Sequence, residues 1–295
     1  DEEFRTSAVM DRVSTTMDVF QGITIACVQC HSHPYDPFHF EDYYKLLAFL
    51  NNTRDEDTHM EHPKLRLYDS VSTAEVRQVS DWVAQYGTPD QLHNVQEFMK
   101  VLEPKVHAHN ADQYINGALQ DTKYMGVRNN GSCRLPQQKL DGKTQVLMNY
   151  WTGSKGGAVE FRLDSLHGRT IITQQLAPTN GRKAISMPLP PLTGTHDLYL
   201  VFRNASISPA EPVCMVEWFA FREDIPGKGK PGYDKINTEM MTLINENPDD
   251  VPVMIENPPE MARTTNVFER GNWMVKGPAV TPDVPHSLNP FPANA

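Results

Sequence analysis

The sequence predicts a multidomain α+β protein. A helical segment over 1–103 is followed by an antiparallel β-sandwich over 104–224, then by a linker, a short helix and an extended proline-rich tail over 225–295. Three observations predict this order. Apolar residues in the first third recur at helical spacing. The middle third alternates apolar and polar residues between turn signals. After Asn247 a proline comes every few residues with little periodicity, so this last stretch can bury little surface by itself and is expected to lie on something else.

The elements follow in order. Val9 to Ile25 reads as one apolar-periodic helix. Tyr43, Leu46, Leu47 and Leu50 fall on one face of a second, with Glu41 and Asp42 at its start, where negative charge suits the helix dipole. Asn51 to Asp69 is polar and His-rich and reads as loop. Ser72 to Gln85 opens on a Ser-Thr cap and lines up Val76, Val79 and Val83. Thr88-Pro89-Asp90 starts a further helix through Met99, with proline in its first turn.

Strand patterns then take over at Val146–Trp151, Val159–Asp164, Leu198–Phe202 and Val216–Phe221. Asn129-Asn130-Gly131, Asp141-Gly142, Gly156-Gly157, Asn180-Gly181 and Thr193-Gly194 read as the turns between strands, and many short strands so separated make a sandwich. Pro226 to Gly232 has linker composition, and Lys235 to Asn245 reads as a helix.

Composition removes several function classes. Lys and Arg number 27 against 37 Asp and Glu, a net charge of −10, which argues against nucleic acid as the main partner. No run of about 18 apolar residues is present to span a bilayer. The opening DEEFRTSAVM has neither the basic nor the apolar part of a signal peptide, so the chain is expected to be cytosolic, a processed mature protein or a piece of a longer precursor. Nucleophile elbow, P-loop and dinucleotide fingerprint are all missing, which favours an electron carrier or structural subunit over an enzyme. Four cysteines are too few for a disulfide scaffold.

Two of those cysteines stand in Cys27-Val28-Gln29-Cys30-His31, a c-type haem attachment motif. Thiols at this spacing can add to the two haem vinyl groups, and the adjacent His31 then supplies an axial nitrogen to the iron. The same residues also fit a redox dithiol, or half of a zinc site completed by nearby histidines. For the second axial position His33, His39, His59, Met60, His62, Met10 and Met17 are candidates. Met60 and His59 lie in a segment of suitable reach, and a Met ligand would raise the potential relative to His. His33 stands too close to His31 to reach the other face and is expected to bond a propionate or neighbouring backbone.

Residues 11–16 (DRVSTT), 20–24 (FQGIT), the Cys27–His31 motif, Tyr35-Asp36-Pro37 and Asp42-Tyr43-Tyr44-Lys45-Leu46 with Ala48-Phe49 together resemble the planctomycete-type cytochrome c module. The likeness covers about the first 50 residues, the C-terminal end of that module. Ser32 and Pro34 depart from the family's Asp and Lys, which leaves the thiols and His31 untouched. Pro252–Ile255, Ala262–Gly271 and Gly277–Pro285 resemble the opening of a conserved domain found downstream in the same large proteins. The resemblance implies a fragment or reduced version of a much larger protein, with the tail wrapped on a neighbour or on its own sandwich.

The middle region is similar to a family 6 carbohydrate-binding module, a β-jelly-roll, through Gly156–Asp164, Thr193–Phe202 and Val216–Phe221. That resemblance implies an aromatic sugar platform, for which Tyr124 fits one position. Thr179-Asn180-Gly181-Arg182-Lys183 carries no aromatic at the other, and Trp151 is either its substitute or core. It also implies a calcium ion, for which Glu217 offers a carboxylate, although the first strand, Val106-His107-Ala108-His109, carries His where an acidic residue is expected. In an oxidising compartment Cys133 and Cys214 could pair across the sandwich.

The expectation is therefore a periplasmic or otherwise extracytoplasmic accessory or electron-transfer protein bearing haem c. It would assemble with a larger complex, membrane-associated or not, and with a redox partner protein. The alternatives are a non-redox structural subunit, whose jelly-roll and tail stabilise a membrane-associated complex, and a polysaccharide-targeted redox protein that binds carbohydrate through the sandwich.

Overall fold

A computed structural model describes residues 2–54, 63–288 and 290. Along the chain run α1 (Glu2–Gln21), a 3-10 turn (Ala26–Gln29), α2 (Phe40–Asn51), β1 (Lys64–Leu67), α3 (Ser70–Tyr86) and α4 (Pro89–Val101). Then come β2 (Val106–His107), β3 (Asp112–Gln120), β4 (Tyr124–Lys139), β5 (Gln145–Trp151), β6 (Gly157–Leu163), β7 (Thr170–Leu176), β8 (Lys183–Pro188), β9 (Thr195–Arg203) and β10 (Pro212–Arg222). α5 (Tyr233–Asn245), β11 (Asp249–Pro252), β12 (Thr265–Glu269) and β13 (Asn272–Val280) complete the order. The helices and strands predicted from periodicity are all present, but α1 begins seven residues before the expected Val9 and ends at Gln21, and β1 lies within the stretch read as loop.

Two compact units divide the chain: residues 64–251 form one, and residues 1–63 with 252–295 form the other. The helical stretch expected over 1–103 is thus split, with α3 and α4 on the sandwich side.

In the larger unit the antiparallel strands run β7-β6-β9-β4-β10-β5-β8, with β2 on β10 and β3 on β4, and curl into a nearly closed sandwich. Its interior is apolar, with Val127, Leu135, Met148, Phe161, Leu200, Phe202 and Phe219 all fully buried. A second core lies on the outer face of the sheet. There Val79, Val83, Phe98 and Met99 of α3 and α4, and Ile236, Met240 and Leu243 of α5, cover Leu147, Ala184, Trp218 and Ala220. The cap of α3 is not the expected Ser72-Thr73 but Asp69, whose carboxylate accepts from the Val71 and Ser72 amides and so starts the helix earlier, while Thr88 with Gln91 makes a capping box at the expected start of α4.

Asn129-Asn130-Gly131 is not a turn. It lies inside β4, whose first half pairs with β10 and whose second half pairs with β9. Asn130 takes a left-handed φ of 59° there and kinks the strand as it changes partner. The kink is close-packed, since a Cβ on Gly131 would meet the Asn116 carbonyl oxygen at 2.6 Å. An Asn-Gly pair serves a mid-strand bend as well as a hairpin, because both need positive φ.

The smaller unit packs α1 and α2 against the β12–β13 hairpin. Val9, Val13, Tyr43, Tyr44 and Leu47 meet Val267 and Phe268 in one core. The tail is therefore not extended throughout. Part of it is a hairpin that contributes buried apolar residues to the N-terminal helices. Arg270 and Gly271 form its two-residue turn with φ of 51° and 74°, the backbone that suits the twist of paired strands. The Arg263 guanidinium donates to the Thr53 carbonyl at 2.7 Å and the Asn51 carbonyl at 3.2 Å, so a cation satisfies carbonyls at the C-terminal end of α2.

Phe161 packs edge-on against Phe219 at the centre of the sandwich, with ring centroids 6.0 Å apart. Phe161→Ala is expected to destabilise the larger unit by about 3–5 kcal/mol, read as a lowered midpoint in urea unfolding.

Candidate functional site

The Cys27–His31 motif sits on the 3-10 turn that follows α1. Ile25 and Val28 are fully buried and anchor this turn, and the Val28 amide donates to the Ile25 carbonyl at 2.9 Å. With those two side chains turned inward, Cys27 and Cys30 are left exposed. The Tyr44 hydroxyl holds the turn from beneath, donating to the Gln29 carbonyl at 2.7 Å. Burial pushes the Tyr43 hydroxyl up to about 12 and that of Tyr44 still further, so both stay protonated donors over the whole working range.

His31 is exposed, and its Nδ1 lies 2.9 Å from the Ser32 carbonyl oxygen. A carbonyl can only accept, so Nδ1 carries the proton. A neutral imidazole of that tautomer presents a bare Nε2. Cys30 Sγ lies 3.3 Å from the Arg270 carbonyl oxygen, and a Cβ on Gly271 would stand 3.2 Å from that sulfur. Glycine at the hairpin tip therefore allows close approach to the thiol. Phe20, before the motif, is 77% exposed and Tyr35, after it, 93%, large apolar surfaces left open to water on both sides of the motif in sequence.

The candidates for a second axial ligand separate by position. Met17 is buried in the core of the smaller unit. His33 Nδ1 accepts the Asp36 amide at 2.8 Å and so serves its own loop. His59, Met60 and His62 lie outside the described residues. His39 stands at the start of α2, its ring stacked on that of His286 with centroids 3.8 Å apart.

In the larger unit Tyr124 and Trp151 stand edge to face with centroids 4.9 Å apart. The Arg182 guanidinium lies 5.4 Å from both ring centres and donates to the Tyr124 hydroxyl at 2.6 Å. Arg182 Nε lies 3.0 Å from Glu217 Oε2. Glu217 reaches it because β10 bulges there: Val216 pairs with Tyr150 and Trp218 with Asn149, leaving Glu217 as the extra residue. Glu217, expected as a calcium ligand, is thus the partner of an arginine, a group that competes with a cation for its oxygens. Arg182 is the residue that sequence reasoning passed over, read only as the absence of an aromatic.

Cys133 and Cys214 are free, buried thiols, not a disulfide. Burial raises both far above the ordinary thiol range, so they are neutral and unreactive at neutral pH.

A family model described as PSCyt2, protein of unknown function (DUF1549), matches residues 1–55. A comparison with curated proteins finds no match. Among solved structures, a family 6 carbohydrate-binding module from Clostridium cellulolyticum in complex with xylose is 23% identical, with a TM-score of 0.37 and coverage of 41% of this chain and 97% of that one. CsCBM6-3 from Clostridium stercorarium in complex with cellobiose is 21% identical, with a TM-score of 0.35 and coverage of 41% and 93%. A β-1,3-glucan-binding CBM6 from Bacillus halodurans is 21% identical, with a TM-score of 0.35 and coverage of 41% and 96%. Residues 1–55 are thus similar to the PSCyt2 family, and the antiparallel sandwich follows in the same chain. No helix among the described residues is long and apolar enough to cross a membrane.

In haem-free protein, iodoacetamide is expected to alkylate Cys27 and Cys30 in the native state and to reach Cys133 and Cys214 only after denaturation. Peptide mass spectrometry reads both.

Proposed function

We propose that the protein is an extracytoplasmic, haem-c-bearing accessory protein that relays an electron within a larger assembly. The observation that carries this is the disposition of the Cys27–His31 motif: two exposed thiols on one anchored turn, beside an exposed imidazole whose Nδ1 is committed to the Ser32 carbonyl. Cys27 and Cys30 would hold the vinyl carbons through thioether bonds, and His31 Nε2 would face the iron. The Ser32 carbonyl would orient His31 as a ligand and fix its tautomer, as second partners of ligating histidines do. When bound, the haem supplies the one-electron chemistry. Phe20 and Tyr35, exposed on either side of the motif in sequence, would be available to cover it. On sequence alone, Met60 or His59 would supply a second ligand to the iron. Extracytoplasmic placement follows from c-type attachment, which is completed outside the cytoplasm.

A second role is favoured by Tyr124, Trp151 and Arg182. Two aromatic rings with a guanidinium packed over both bring apolar surface and hydrogen-bond donors together, the combination that a sugar ring needs. The sandwich would then tether the redox unit to a polysaccharide.

A pyridine haemochrome spectrum on denatured, acetone-extracted protein tests the first role. A c-type α-band that stays with the polypeptide, and is lost in Cys27→Ser/Cys30→Ser, is expected; no haem signal would sink the electron-relay role and leave a scaffold. For the second role, β-linked oligosaccharides of glucose or xylose are expected to quench tryptophan fluorescence saturably, and Trp151→Ala to abolish the effect. Quenching that is unchanged in this variant, or absent in the parent, excludes the platform.

A further inference from the structure

In the smaller unit three ligand-bearing side chains converge. His39 precedes α2, Asp42 lies in its first turn, and His286 comes from the segment after β13. One ligand atom from each lies within 4.8 Å of the others. We infer that His39, Asp42 and His286 form a binding site for a divalent transition ion of the zinc class.

The donor set selects the ion. Two imidazoles and one carboxylate suit borderline ions such as Zn²⁺, Co²⁺ and Ni²⁺, whereas Ca²⁺ and Mg²⁺ want oxygens alone. The spacing fits as well. Ligands about 2.0–2.2 Å from a tetrahedral ion stand roughly 3.3 Å from one another. His286 Nδ1 and Asp42 Oδ2 are now 2.8 Å apart as a hydrogen-bonded pair, so only a small opening is needed to seat an ion between them. Three protein ligands leave a coordination position for water. It would face the solvent, since the side chain of His286 is 44% exposed while that of Asp42 is only 4% exposed.

The carboxylate is held in place without the ion. Asp42 Oδ2 accepts the His39 backbone N–H at 2.8 Å, the return half of a capping box, which fixes the aspartate relative to the residue carrying the first imidazole. The second imidazole is positioned beside it: its ring stacks on His39 at an interplanar angle of 23°, and Lys45 pairs with Asp283 at 3.5 Å three residues upstream. Two stacked imidazoles would repel if both were protonated, and both are neutral when they ligate. An ion at this place would join the start of α2 to a segment more than two hundred residues later in the chain, and would stabilise the unit by mass action.

The test is a calorimetric titration of the full chain, stripped with a chelator, with Zn²⁺. It is repeated with Co²⁺, whose visible spectrum distinguishes nitrogen and oxygen ligands from thiolates. One saturable ion per chain is expected, retained in Cys27→Ser/Cys30→Ser. His286→Gln, which keeps a donor for Asp42 but removes the imidazole, is expected to weaken binding at least about tenfold with unchanged far-ultraviolet circular dichroism. Ion binding should also raise the thermal midpoint of the parent and not that of His286→Gln. Binding lost with the thiols would place the ion on Cys27 and Cys30. Binding unchanged in His286→Gln would mean adventitious surface histidines. Either outcome, or no saturable binding, overturns the site and leaves the haem assignment where its own spectrum puts it.

Discussion

Val216, Trp218, Phe219 and Ala220 of β10 have no solvent side, and the larger unit is arranged around that constraint. Val216 and Phe219 face the interior of the sandwich, while Trp218 and Ala220 face the helices. In an unbroken strand Val216 and Trp218 would share a face, since side chains alternate with period two. The extra residue Glu217 breaks that parity, and Phe219 follows Val216 into the interior. Helices α3, α4 and α5 are then required, because without them a row of apolar residues on β5, β8 and β10 would meet water. The bulge that permits two cores also lifts Glu217 toward Arg182, so the polar end of the aromatic platform is a by-product of the packing solution.

In the smaller unit a short chain of buried polar contacts has the equivalent place. Arg5 Nη1 donates to Asn51 Oδ1 at 2.9 Å, and Asn51 Nδ2 donates to Thr265 Oγ1 at 2.8 Å, linking α1, α2 and β12. All three residues are buried, and a buried polar group left without its partner costs about 1–3 kcal/mol. Hydrophobic contacts alone would let a short hairpin slide on the helices. Directional bonds fix which residues meet, and so place the Arg270–Gly271 tip against Cys30.

Element types were legible in the sequence wherever one face is buried and the other is wet. Tyr43, Leu46, Leu47 and Leu50 gave α2, and Val159 to Leu163 gave β6, because period and burial coincide there. What local pattern could not give is the choice of partner. Val76, Val79 and Val83 state that α3 has an apolar face and leave open which surface it covers. Val267 and Phe268 are two apolar residues in a proline-rich stretch, too few to announce a hairpin, and their burial depends on helices more than two hundred residues earlier. The pentapeptide Cys27–His31 stands in the sequence as one local pattern, and the fold adds that both its thiols are exposed. The His39–Asp42–His286 cluster was half legible at most: His39 and Asp42 are three residues apart at a helix start, and His286 carries no signal until the fold brings it back.

The four cysteines show how environment, rather than residue type, sets chemistry here. Cys133 and Cys214 are enclosed by apolar strands of the sandwich, where a thiolate would have no solvation and no counter-charge, so they act as small hydrophobic residues. Cys27 and Cys30 are held outward by the two residues, Ile25 and Val28, that the smaller unit buries beneath them. That core is modest, built on a few aliphatic residues and the two tyrosines of α2, and a unit with a small core gains proportionately more from any group that cross-links its segments. A covalently held prosthetic group on the 3-10 turn and an ion between α2 and the C-terminal segment would both act in that way. The exposed thiols and the His39–Asp42–His286 cluster both lie in the unit with the smaller apolar core.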